Sequence, residues 1–292
     1  MLPHSIVTDQ IRKNECFLRQ DALIVFVCGR ALSASGSKRK LFLDYARKHI
    51  QGFHFLLAED LFKVRGTRGS DLLTTEKDLA NYSDCIIIIL ESESAFAELG
   101  AFAVLDDLCK IILPINDKSF EKSDSFINLG PLEKIDSYKK GLGPTIHANM
   151  DSFAHCFSEV QTRLNKIQMR RRKRLKINEY SSFITNDKER LLLIYDIINI
   201  FAPIKKNEII NVFKSIYGSK RFDKINFDVL LLVTLGFIQE FDGFYFSSRP
   251  GLRFIDFATD SYFQLKSEII IHYKKKDPQR LRLLGKVSSD AR

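Results

Sequence analysis

A chain of 292 residues has length for about two domains of ~150 residues each. Its composition, 45% hydrophobic and 28% charged with 14 Gly and 7 Pro, excludes disordered, collagen-like and low-complexity chains. The net charge of +9 is unevenly shared: residues 1–168 hold 21 Lys and Arg against 22 Asp and Glu, and residues 169–292 hold 24 against 14, which predicts a neutral half joined to one that binds a polyanion.

The first half alternates apolar strand-like runs with helical patterns, the signature of a parallel sheet covered by helices. Strands are expected at Ala22 to Cys28, Phe53 to Leu57, Cys85 to Leu90 and Ile111 to Ile115, with helices at Lys38 to Ile50, near Asp71 to Tyr82, and at Ala95 to Leu108. In such Rossmann or flavodoxin-like α/β sheets the ligand lies beyond the carboxyl ends of the strands. Those ends are Cys28-Gly29, Ala58-Glu59-Asp60, Glu91 to Ser94 and Asn116-Asp117.

A further helical pattern runs from Asn149 into Arg170-Arg171-Arg172-Lys173-Arg174. This run marks a boundary, giving an N-terminal domain over 1–168, a basic linker over 169–186 and a second domain over 187–292. In the second domain, Lys188 to Phe201, Asn207 to Tyr217 and Phe227 to Leu235 read as helices, and Phe237 to Phe246 alternates around Asp242-Gly243, a hairpin signal. Three helices and a hairpin predict a mostly α winged helix-turn-helix domain. Gly251 to Ile271 is expected to add another helix, and the last twenty residues to be basic and loose.

The longest apolar run, Cys85 to Leu90, is far short of the ~20 residues that span a bilayer, and the N-terminus shows no basic-then-apolar export signal. Five cysteines, Cys16, Cys28, Cys85, Cys109 and Cys156, form no Cys-x-x-Cys pair, which argues against a disulfide framework or a zinc knuckle. A soluble cytoplasmic protein with no membrane partner is expected. The histidines stand at no metal-ligand spacing, so no metal is expected.

Most of the chemistry lies in Glu91 to Phe102. Here Glu98 is expected in the first turn of a helix beginning at the ligand edge of the sheet. A carboxylate there complements the helix dipole. A capping box would need Ser or Thr at position 95, which is Ala. The alternative reading of such a carboxylate is a catalytic one. Weaker candidates for substrate binding are Cys28, Gly29 and the loop to Ser37, whose backbone N–H groups suit a phosphate. Glu59 and Asp60 suit ribose hydroxyls, and Ser92 and Ser94 suit the ribose or the orientation of Glu98. For nucleic acid, the candidates are Arg170, Arg171, Arg172, Lys173, Arg174, Lys205, Lys206, Lys220, Arg221, Lys274, Lys275 and Lys276, with Lys214 and Lys224 nearby. The third helix of that domain carries few side chains able to read base edges, so backbone contact or packing against a partner is expected.

Asp84 before the apolar strand, the serine-rich loop, and Ala97-Glu98-Leu99-Gly100-Ala101-Phe102 resemble the nucleoside 2-deoxyribosyltransferase family. In that family the Glu of a Glu-x-Gly context attacks the sugar C1′. Phe26-Val27-Cys28-Gly29, Ala58-Glu59-Asp60-Leu61-Phe62 and Ser125-Phe126-Ile127-Asn128-Leu129-Gly130-Pro131, together with the winged-helix tail, resemble the effector subunit of bacterial anti-phage retrons. The likeness is closest over residues 20–140. Ser92 and Ser94 stand where the transferases have Asp and Gly, a departure shared with the divergent retron effectors. The resemblance implies a catalytic Glu98, a site role for Asn128, and hydrolysis of NAD as substrate with no cofactor. It also implies a homo-oligomer or higher assembly, and a reverse transcriptase with its branched RNA–DNA product as partners. A nucleotide-sensing DNA-binding regulator, or a hydrolase or transferase of free nucleosides or nucleotides, is the alternative reading of the residues.

Overall fold

The computed structural model describes residues 5–13, 15–19, 23–59, 76, 79–138, 141–168, 173–249, 251–257 and 262–290. The chain divides into two compact units, one of Gln20–Arg171 and one of Met1–Arg19 with Arg172–Arg292. The first nineteen residues, expected in the N-terminal domain, therefore fold with the C-terminal unit.

The Gln20–Arg171 unit is α/β, with a five-stranded parallel sheet in the order Phe53–Leu56, Leu23–Cys28, Cys85–Ile89, Ile112–Asp117, Ile146–Ala148. In order of appearance the strands run 2-1-3-4-5, the doubly wound arrangement whose ligand crevice opens where neighbouring connections diverge, between the first and third strands. Both of those strands are buried along their whole length, as strands covered on two faces must be. Side-chain alternation sends Val25, Val27, Cys85, Ile87 and Ile89 to one face. There they share a core with Phe42 and Leu43 of helix Lys38–His49 and with Phe157, Val160 and Leu164 of helix Phe157–Gln168. Phe26 points the other way and meets Phe102 of helix Glu93–Ala103 at 6.4 Å between ring centroids. The fifth strand was not expected from the sequence, because it spans three residues behind Gly141-Leu142-Gly143-Pro144 and is defined by its pairing with Ile115 to Asp117. The helix expected over 95–108 is two, Glu93–Ala103 and Asp106–Cys109. Most of the helix expected near 71–82 lies outside the described residues.

In the other unit, helix Asp187–Phe201 is buried from Glu189 to Phe201 and forms the centre, as a helix apolar on every side must. Helices Lys206–Tyr217 and Lys224–Thr234 and the hairpin Ile238–Phe241/Phe244–Ser247 surround it. Asp242 and Gly243 at the hairpin tip both have positive φ, 52° and 72°, the combination that a two-residue type I′ turn requires. Cys16–Leu18 is the middle strand of a three-stranded antiparallel sheet, between Ile255–Phe257 and Lys173–Arg174. Helix Ser5–Arg12 adds a hydrogen bond between the Thr8 and Ser215 hydroxyls and a longer one, at 3.4 Å, from Arg12 to the Ile216 carbonyl.

Three expectations for this unit are corrected. Residues 173–186 are not a linker, since Lys173–Arg174 is a strand and Tyr180–Thr185 a helix that buries Phe183. The segment after Gly251 is strand Ile255–Phe257 followed by helix Tyr262–Lys276. The last residues are helix Pro278–Asp290, opened by proline at its first position and tied down by Arg280, which pairs with Glu208 at 2.9 Å and Asp277 at 3.1 Å. Among the described residues no helix is long and apolar enough to cross a membrane.

Candidate active site

The carboxyl ends of the first three strands open on a cavity of about 190 Å³ lined by Cys28, Gly29, Arg39, Glu59, Glu76, Ser94 and Glu98, among others. These come from five separate stretches of the chain and meet because the parallel strands end on one edge. Asn116 and Asp117, at the end of the fourth strand, are not among the lining residues.

Glu98 sits in the second turn of its helix rather than the first. Ser92 is extended (φ −154°, ψ 158°) and the helix starts at Glu93, so Glu93 takes the first-turn position. A dipole account of Glu98 fails with that, because the effect fades beyond the first turn. The Cys28 thiol hydrogen-bonds the Glu98 side chain, while Glu98 Oε2 is buried with no hydrogen-bond partner among the described residues. Burial first, and then the neighbouring Glu76, raise the Glu98 pKa from 4.5 to about 7, against the lowering effects of Cys28 and Arg39. Burial and Glu59 also push Glu76 up. Cys28 itself is held as a thiol, its pKa raised well above the ordinary 9.0 by burial and by Glu98. It is a donor to Glu98, not a nucleophile.

Among the described residues, Arg39 is the cation that lines this cavity with the three carboxylates. Arg39, 4% exposed, pairs with Glu59, and its Nε donates to the Arg30 carbonyl at 2.9 Å. It stands in the first turn of helix Lys38–His49. The expected phosphate cradle after Cys28-Gly29 is corrected by Glu91. Its Oε2 accepts from Lys38 N at 2.8 Å, and its Oε1 from Arg39 N at 2.9 Å and Arg30 N at 3.2 Å. Ser37 caps Lys40 N at 3.2 Å. The helix N-terminus thus already holds an anion supplied by the chain itself. Gly29 makes room for it, since a Cβ there would lie 3.3 Å from Glu91 Oε1 and 3.2 Å from Arg39 Cβ.

Ser92 Oγ and Ser94 Oγ are 3.1 Å apart, and only Ser94 lines the cavity. Asn128 lies elsewhere: its Nδ2 donates to the Phe120 and Ser123 carbonyls at 2.7 and 2.8 Å, and so fastens the loop ahead of it. Asp60 lies outside the described residues. Glu76, Arg39 and Glu91 were not singled out from the sequence, because nothing local distinguishes them from surface charges on helices and loops.

On the other unit, Arg174, Lys205, Lys206, Lys220, Arg221 and Lys274 to Lys276 are exposed. Lys205 and Lys206 start helix Lys206–Tyr217 and Lys220 and Arg221 follow it, so about 18 Å of helix separates the two pairs. Lys224 is engaged, with Nζ 2.8 Å from Asp187. Helix Lys224–Thr234 turns Ile225, Asp228, Val229, Leu231 and Leu232 inward. Arg170, Arg171 and Arg172 and the side chain of Lys173 lie outside the described residues.

The family described as STM3845 retron effector protein matches residues 35–240. A protein of Escherichia coli named "Retron Ec73 putative ribosyltransferase/DNA-binding protein" is 30% identical over 278 residues, which is 89% of this chain and 87% of that protein. The Escherichia coli "Retron Ec86 putative ribosyltransferase/DNA-binding protein" is 32% identical over 115 residues, 39% of this chain and 37% of that protein.

Proposed function

Because this chain belongs to the STM3845 retron effector family, we propose that it is a toxic defence effector whose α/β unit, with a nucleoside deoxyribosyltransferase-like fold, cleaves the N-glycosidic bond of NAD. The observation that carries this reading is Glu98, a carboxylate at the switch point of the sheet whose buried Oε2 has no hydrogen-bond partner among the described residues. Burying a charge without a partner is costly, and perturbed carboxylates in clefts mark chemistry.

Glu98 attacks C1′ of the nicotinamide ribose. The C1′–N bond breaks with its electron pair passing to the pyridinium nitrogen, so nicotinamide leaves neutral and needs no proton. Water then hydrolyses the ribosyl ester, giving ADP-ribose and one proton and restoring the carboxylate. Among the described residues three carboxylates line the cavity with one guanidinium, which suits a substrate whose reacting ring is cationic, and a bound cation favours ionised Glu98. Arg39 orients Glu59 for the ribose hydroxyls, and Cys28 fixes one side of Glu98.

A second reading is favoured by the raised pKa of Glu98. Held protonated, it would serve as general acid for a neutral base leaving a nucleoside. Incubating the pure protein with NAD and following free nicotinamide tests the first reading, and Glu98→Gln abolishes the release. A nucleophilic Glu98 gives kcat/KM that rises with pH through about 7, and a general acid gives the opposite slope.

The helical unit, read as a winged helix, docks on nucleic acid through phosphates rather than base edges. Reverse transcriptase and its branched RNA–DNA product are the proposed partners that restrain the enzyme, in an assembly of several subunits. Reversing Lys274 to Lys276 to Glu weakens binding at all sequences alike. It also flattens the slope of log K against log salt by about 0.7–0.9 for each phosphate that is no longer neutralised.

A further inference from the structure

The cavity around Glu98, about 190 Å³, is smaller than the roughly 300–1,000 Å³ that encloses a ligand of drug size. It has room for the ribose and ring at the bond being broken, and the rest of a dinucleotide must lie outside it. A second cavity, of about 440 Å³, lies on the loop that leaves the first. It is lined by Leu32 to Lys38, Lys40, Leu41 and Asp44. Ala31 borders the first cavity and Leu32 the second, so one short segment walls both. Turn hydrogen bonds from Ala34 N to the Ala31 carbonyl and from Ser37 N to the Ala34 carbonyl, at 3.0 and 3.3 Å, keep that segment compact.

The two cavities carry opposite charge. Glu59, Glu76 and Glu98 outnumber Arg39 in the first, and Lys38 and Lys40 outnumber Asp44 in the second. The backbone N–H groups of Lys38, Arg39 and Lys40 are taken by Glu91 and Ser37, so the helix N-terminus offers nothing to a ligand there. The ammonium groups of Lys38 and Lys40 have no ion-pair partner among the described residues. They share the cavity with the hydroxyls of Ser33 and Ser35, an arrangement of point charges and short donors that suits phosphate oxygens.

We propose that this second cavity holds the phosphate-bearing half of the substrate, with Lys38 and Lys40 on the pyrophosphate, so that the site selects a dinucleotide with a cationic ring at one end and anionic phosphates beside it. This rests on the reading of Glu98 as the residue that cleaves the nicotinamide bond. Lys38 and Lys40 are binding residues remote from the reacting carbon, and Asp44 faces the ribose hydroxyls of the distal nucleoside.

The test compares NAD with nicotinamide riboside, which has the same bond and no phosphate, as substrates of the full-length wild type and of Lys38→Ala/Lys40→Ala. The expected result is a fall of about tenfold or more in the ratio of kcat/KM for NAD to that for nicotinamide riboside, as removal of a charge-assisted hydrogen bond implies. Both substrates are measured on one preparation, so any misfolded fraction cancels. An unchanged ratio overturns the second site while leaving the Glu98 reading standing. Absence of nicotinamide release from either substrate by the wild type overturns the Glu98 reading, and the second site with it.

Discussion

Buried charge is handled in opposite ways by the two units. In the helical unit the buried Arg190 is matched by carboxylates, and the buried Asp196, whose pKa burial pushes up to about 8, is held by backbone donors. Arg190 pairs with Asp228 at 2.6 Å and with Asp187 at 2.7 Å. Asp196 accepts from Phe254 N at 3.1 Å and Ile255 N at 2.7 Å. In the α/β unit, among the described residues, Glu59, Glu76 and Glu98 share one guanidinium, and Glu98 Oε2 has no hydrogen-bond partner. Glu91 shows that the same unit can satisfy a carboxylate completely, with three backbone donors. Matched charge fixes a fold, and unmatched charge in a cleft is kept for a ligand.

The contrast is broken most sharply at Glu98 itself. Glu98→Gln is expected to lower NAD cleavage by at least about a thousandfold, as removal of a nucleophile does, with the fold retained by circular dichroism. It should also change stability. Between pH 4.5 and about 7 the folded protein keeps a proton on Glu98 that the unfolded chain has released. This group's contribution therefore falls as pH rises through that window, by at most about 3 kcal/mol. Glu98→Gln should flatten that stretch of a stability-against-pH curve, and an unchanged curve would mean that Glu98 is not buried as described.

In the helical unit the expected effect is on stability. Asp228→Ala removes the fully buried partner of Arg190 and leaves it Asp187, and should cost about 3–5 kcal/mol, read by denaturant unfolding. Deleting residues 1–19 removes Val7, Ile11 and Cys16 from that core and the middle strand of its sheet. A loss of at least about 3 kcal/mol is expected, since each large buried apolar side chain contributes ~1.5–3. Hydrogen exchange should show it in Ile255–Phe257, not in the parallel sheet. Loss confined to the α/β unit would refute the division of the chain.

A smaller change sharpens the comparison from the other side. Arg39 lowers the pKa of both Glu98 and Glu76. Arg39→Gln should therefore move the acid limb of the kcat/KM profile for NAD up by about one pH unit. A loss of rate with the limb unmoved would leave Arg39 a purely structural role.

Much of this was legible in local pattern. Runs such as Cys85–Ile89 announce a doubly covered strand, Asp242-Gly243 dictates its turn by φ alone, and Ala95 excludes a capping box for Glu98. Glu98 could be singled out as a candidate because no capping partner explains it and because its Glu-x-Gly context resembles the deoxyribosyltransferases. What sequence could not show depends on groups brought together from far along the chain. Glu91 caps a helix that begins 53 residues earlier, a role that no spacing rule encodes. Cys16–Leu18 becomes the centre of a sheet only through Phe257 and Arg174, and three residues carry too little periodicity to declare a strand. Arg39 and Glu76 look like ordinary charges on helices until parallel strand ends bring them to Glu98. The sequence by itself determined the first four strands of the parallel sheet, the three helices and the hairpin of the other unit, the charge asymmetry and the candidate carboxylate, because periodicity, turn chemistry and formal charge are local. Which charges are satisfied and which left open was decided only by the tertiary structure, because burial and hydrogen bonding are properties of neighbours in space.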